Sequence, residues 1–121
     1  KMIQHFQLPV SVVTVPTVRE TDGLAMSSRN MRLNAQQRLI APKLYETLSS
    51  ISNMIGKEEP SVLTKSYIEY LNQTSGIVVD YLEIVDSQSL MPLKSWNEKG
   101  QNLACIAAFL GDIRLIDNLL F

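Results

Sequence analysis

One cysteine, Cys105, and one histidine, His5, stand in this chain of 121 residues. A lone cysteine excludes an internal disulfide framework and suits a reducing compartment. One histidine, far in sequence from Cys105, makes neither a metal-ligand set nor a thiol–imidazole pair; Cys105, inside an apolar run, reads as a small hydrophobe. An excess of either charge is lacking too, since 11 Lys and Arg against 12 Asp and Glu leave a net charge of −1. Such a balance creates no field that would recruit nucleic acid or an anionic membrane, and no basic stripe runs along any segment. No apolar run approaches the roughly 20 residues that cross a bilayer, and the first residues hold no signal-peptide apolar stretch. Lys1 stands where an initiator methionine would, so the chain reads as cut from something longer, and a cytoplasmic setting is expected. With 45% hydrophobic and 19% charged residues, the composition is that of one folded domain with a core of its own.

Punctuation and periodicity order the elements. Residues Met2 to Leu8 read as the end of a helix stopped by Pro9, and Val10 to Val15, β-branched between Pro9 and Pro16, reads as a strand. Asn34 suits a helix N-cap, with Gln37 as its capping-box partner. Leu39, Ile40, Leu44, Leu48, Ile51 and Ile55 then recur at helical spacing toward Gly56 as C-cap, and Pro42 predicts a break near residues 39–42. Pro60 opens a second helix with Val62, Leu63, Tyr67, Ile68 and Leu71 on its inner face. Val78 to Asp86 reads as a strand, the run Asn102 to Leu110 as a buried strand, and Gly111-Asp112 as a two-residue turn into a last strand from Ile113. Helices first and strands afterwards, with one tight hairpin, give an α+β domain with a small antiparallel sheet.

Between Pro16 and Met31 lies a stretch without either period, Thr17-Val18-Arg19-Glu20-Thr21-Asp22-Gly23-Leu24-Ala25-Met26-Ser27-Ser28-Arg29-Asn30. Hydroxyls, backbone N–H groups and guanidinium forks are what a phosphate group requires of a protein. The plainer reading is a polar loop whose serines make local turns and whose Arg29 is solvated, and residue types alone leave both open. Asp22-Gly23 is a turn signal. Arg19 and Glu20 pair with each other or with the helix after Asn34 in this reading. Arg114 and Asp117, three apart on a strand, point to opposite faces and take different partners. Trp96 reads as a packed loop aromatic. Asp80, Glu83 and Asp86 follow a strand and form no catalytic carboxylate pair.

That stretch resembles, nearly letter for letter, the TVRE-x-DGLA-x-SSRN pattern of the pantothenate synthetase (pantoate–β-alanine ligase) family. V-D-Y-L-E-I-V-D from Val79, L-x-P-L from Leu90 and G-x-x-R-L-I-D-N from Gly111 extend the resemblance over essentially the whole chain. The family's His-x-Gly-His element has no counterpart here. The resemblance implies a Rossmann-like remnant in residues 1–16, its last helix and strand, followed by a C-terminal lid domain in residues 17–121. A hinge is expected near Pro16-Thr17. It also implies Val18, Met26, Ser27, Ser28 and Arg29 as ATP contacts, Arg29 being a possible transition-state stabiliser, with no other catalytic residue. The longer enzyme would condense pantoate with β-alanine through pantoyl adenylate, using ATP with Mg2+. It would do so as a homodimer together with the N-terminal domain. On its own this piece is expected to be inactive. A non-catalytic interaction module keeping a relic loop is the alternative, and its mark would be loss of Ser27, Ser28 or Arg29.

Overall fold

The apolar run Asn102–Leu110 is the central strand, β2, of a three-stranded antiparallel sheet in the order β1-β2-β3. Ile77–Asp86 forms β1 and Ile113–Leu120 forms β3 in this computed structural model, which describes residues 2–121. Gly111 and Asp112 join β2 to β3, with Leu110 opposite Ile113, and Gly111 takes the positive φ of +63° that this turn requires. A register shift between Val79 and Tyr81 marks a bulge in β1 and carries Asp80 to Arg114, whose Nη2 lies 2.8 Å away across β2. These parts of the α+β reading hold.

Helices α1 (Met2–His5), α2 (Ala35–Ile40), α3 (Lys43–Ser52) and α4 (Pro60–Gln73) complete the fold. α3 turns Leu44, Leu48 and Ile51, and α4 turns Leu63 and Leu71, onto the sheet, where they meet Leu82, Ile84, Ile106, Leu110 and Leu115. Alanines at 104 and 108 of β2 are fully buried and let the helices approach closely. The opposite face of the sheet carries half-open Tyr81, Ile116 and Leu120. Asn102, fully buried at the start of β2, ties Asn97, Glu98 and Phe121 together through its side chain. Trp96 packs beside Phe121 and donates to the Glu58 carbonyl.

Pro42 breaks the first helical pattern into α2 and α3, as its missing N–H requires. Leu39, counted among the apolar residues of that pattern, lies about 140° from Leu44 at 100° per residue and is 80% exposed. Val62 likewise faces outward. α3 ends at Ser52 with Asn53 as its cap, and Gly56 lies in the turns that follow instead of capping the helix. The expected strand Val10–Val15 is absent: the segment carries no ladder, and its valines are exposed. β-branched composition suits a strand only where a neighbouring edge accepts its backbone bonds. α1 is correspondingly short and ends at His5, before Leu8.

Candidate functional site

Residues 18–26 fold back on themselves. Met26 donates its N–H to the Val18 carbonyl, Glu20 to Leu24 and Gly23 to Glu20, so Arg19 and Ala25 face each other in a short antiparallel ribbon. Gly23 turns that ribbon at φ +89°, and a Cβ there would collide with the Tyr45 ring. Leu24 anchors it in the core. The outgoing arm runs into Ser27, which caps a five-residue 3-10 helix, Ser28–Arg32, by accepting the Arg29 N–H on its hydroxyl. Asn30 donates through Nδ2 to the Ala25 carbonyl at 3.0 Å, binding the helix to the ribbon. Its Oδ1 is buried and has no partner.

Arg19 pairs with neither Glu20 nor α2, contrary to expectation. Its guanidinium forks onto Asp117 of β3 at 2.6 and 3.1 Å, because the ribbon runs along that edge strand, and it lies 3.9 Å above the Tyr45 ring. Asp22 is the residue that reaches α2, through Arg38 at 2.6 Å, and the hydrogen bond from that guanidinium holds the Asp22 carboxyl below its usual value. Arg114 and Asp117 do take separate partners, Asp80 and Arg19. Cys105 lies half-buried in β2, where burial pushes its thiol up, which makes it a poor nucleophile.

A cleft of about 200 Å³ opens between this loop and β3. Met26, Ser27, Arg29 and Asn30 line one wall; Arg114, Ile116 and Asp117 line the other. Ser28 borders a wider groove on the far side of the 3-10 helix, which Met26 and Ser27 share. Val18, Met26, Ser28 and Arg29 are exposed. Arg19, Arg32, Arg38 and Arg114 each have a carboxylate within ion-pair distance; among the described residues Arg29 has none. The structure therefore brings Met26, Ser27 and Arg29 together on the rim of the cleft and leaves Ser28 on the adjoining groove, and Val18 supports the loop through its carbonyl. Reading the residues missed Asn30 and Tyr45 as parts of this arrangement. Asn30 closes the Ser-Ser-Arg-Asn run and was visible as such; Tyr45 comes close only through tertiary packing.

A family model described as Pantoate-beta-alanine ligase matches residues 1–120. The chain belongs to the pantoate-beta-alanine ligase family. A pantothenate synthetase of Porphyromonas gingivalis is 38% identical over 118 residues, covering 98% of this chain and 42% of the relative. The crystal structure of pantothenate synthetase from Thermus thermophilus superposes with a TM-score of 0.87 at 38% identity, over 98% of this chain and 43% of that one. A pantoate-beta-alanine ligase from Francisella tularensis, solved in complex with beta-gamma ATP and beta-alanine, superposes with a TM-score of 0.64 at 25% identity, over 98% and 36%. The chain thus spans less than half the length of these members of the ligase family, and its three-stranded sheet with helices on one face is the architecture shared with the Thermus enzyme.

Proposed function

We propose that this chain is the C-terminal part of an ATP-dependent pantoate–β-alanine ligase, with residues 17–121 as a lid and residues 1–16 as the end of a preceding nucleotide-binding domain. In the reaction the pantoate carboxylate attacks the α-phosphorus of ATP and pyrophosphate leaves. The β-alanine amine then attacks the acyl carbon of pantoyl adenylate and AMP leaves. The observation that carries this reading is Arg29: an exposed guanidinium without a carboxylate among the described residues, beside Ser27 on the rim of an open cleft, with Ser28 bordering the adjoining groove. Donors of that kind bind phosphate oxygens and follow the charge that develops as pyrophosphate departs. Met26 gives the nucleotide apolar contact, and the Val18 backbone borders the adenine side. Closing such a lid excludes water and protects the acyl adenylate from hydrolysis.

The longer enzyme is expected to use Mg2+. No group of three His, Cys, Asp or Glu among the described residues could hold the ion, and Asp22 and Asp117 are bound to Arg38 and Arg19. No helix of the described chain is long and apolar enough to cross a membrane; a cytoplasmic homodimer acting on ATP, pantoate and β-alanine completes the proposal. The retained Ser27, Ser28 and Arg29 count against a relic module. The test is single-turnover formation of pantoyl adenylate by the full-length protein, with and without Ser27→Ala plus Ser28→Ala. Adenylation that is unchanged in the double variant would remove this loop from the site.

A further inference from the structure

The loop that carries Ser27, Ser28 and Arg29 is placed by one side chain whose two terminal guanidinium nitrogens are both held by protein acceptors. Arg19 donates to both Asp117 carboxylate oxygens, to the Gly23 carbonyl at 3.0 Å and to the Asn118 carbonyl at 3.2 Å, while its flat face rests on Tyr45. It thereby joins three parts of the molecule: the ribbon, the edge strand β3 and helix α3. Asp117 is itself held, being 8% exposed and accepting the Asn118 N–H at 2.7 Å. Arg19 stands opposite Ala25 in the ribbon, and the Ala25 carbonyl holds Asn30. From β3 the connection runs through Arg19 into the ribbon, across it by the Met26–Val18 and Glu20–Leu24 backbone bonds, and from the Ala25 carbonyl to the helical turn that bears Arg29. Arg19 also lies two residues past Thr17, at the end of the segment 10–17 that forms neither helix nor strand.

We propose that Arg19, clamped by Asp117 and Tyr45, is a positioning residue that sets the place of the phosphate-binding side chains. It makes the loop and β3 one rigid piece when the lid moves. The catalytic half of this inference rests on the function proposed above; the structural half does not. A planar fork is needed, since an ammonium on a flexible stem could reach Asp117 but could not also reach two carbonyls and stack on a ring. A displacement of about 1 Å at reacting groups costs on the order of 10²-fold in rate, so small loosening is measurable.

The test uses the full-length protein with Arg19→Lys and, separately, Tyr45→Leu, which spare the charge and avoid stranding Asp117. Two quantities are read: amide exchange and single-turnover adenylation alongside the pantoate KM. The Met26 and Asn30 amides, bonded to Val18 and Ser27 carbonyls, should exchange about tenfold faster or more, with Ile106 and Ala108 of β2 unchanged, as local opening requires. Adenylation should slow by a similar factor at constant pantoate KM. Unchanged loop exchange in both variants overturns the clamp, as does equal acceleration in β2, which marks general destabilisation. Faster loop exchange with full adenylation overturns the catalytic role. A parent protein that forms no pantoyl adenylate defeats the functional reading, and loop exchange still decides the clamp.

Discussion

Arg29 and Arg19 stand ten residues apart and do opposite jobs with the same group. Arg19 has both terminal nitrogens of its guanidinium on protein acceptors, whereas Arg29 has no carboxylate among the described residues. Arg29→Ala in the full-length protein should lower adenylation about 10²–10³-fold, roughly 3–4 kcal/mol of barrier, with a smaller loss of ATP affinity. Arg29→Lys should restore part of that rate, because a point charge cannot make a two-pronged contact. Single-turnover kinetics beside ATP titration separate the two effects. Asp22 allows a pH prediction. Arg38 lowers its carboxyl from 3.8 in the folded chain, so the pair adds stability above the unfolded value and loses it as pH falls through the lower folded one. Thermal melts of Asp22→Asn should therefore lag the parent near neutrality and converge with it as pH falls below the usual carboxylate range. Both groups are exposed, so added salt should shrink the gap. The polar character of residues 17–30 was legible from residue types; which arginine binds structure was not, because Asp117 lies 98 residues from Arg19 in sequence.

Among the elements, the start of α2 was the easiest to read and carries more than it shows. Asn34 and Gln37 exchange backbone and side-chain bonds in a full capping box, and Gln37 Nε2 also donates to the Leu110 carbonyl at the end of β2. Asn34→Ala should cost about 1 kcal/mol, seen as a lower urea midpoint at unchanged slope. Gln37→Ala should cost more, since it removes the box and leaves a carbonyl beside the hairpin without its donor. The β2–β3 hairpin followed from a long apolar run and Gly111-Asp112, both local signals. The failed strand at Val10–Val15 shows the limit of such signals. Its residues favour an extended backbone, yet a ladder needs a partner edge, and the segment carries no backbone pairing to the sheet.

At the scale of the molecule, a family whose members run to more than twice this length supplies the context for a chain with one histidine. The isolated chain should release no AMP in response to pantoate and β-alanine together, measured by coupled AMP detection. Release that needs both substrates would show that this part holds a complete site. Sequence by itself determined the α+β class, the order of helices and strands from α2 onward, the break at Pro42, the hairpin turn and the family, because each rests on neighbours within a few residues or on a contiguous run of letters. Only tertiary structure decided that Asp80 meets Arg114 across β2 and that Arg19 lies between Asp117 and Tyr45. Those outcomes depend on which surfaces meet when the ribbon, α3 and β3 pack together, and a linear pattern carries no information about the far partner of a side chain.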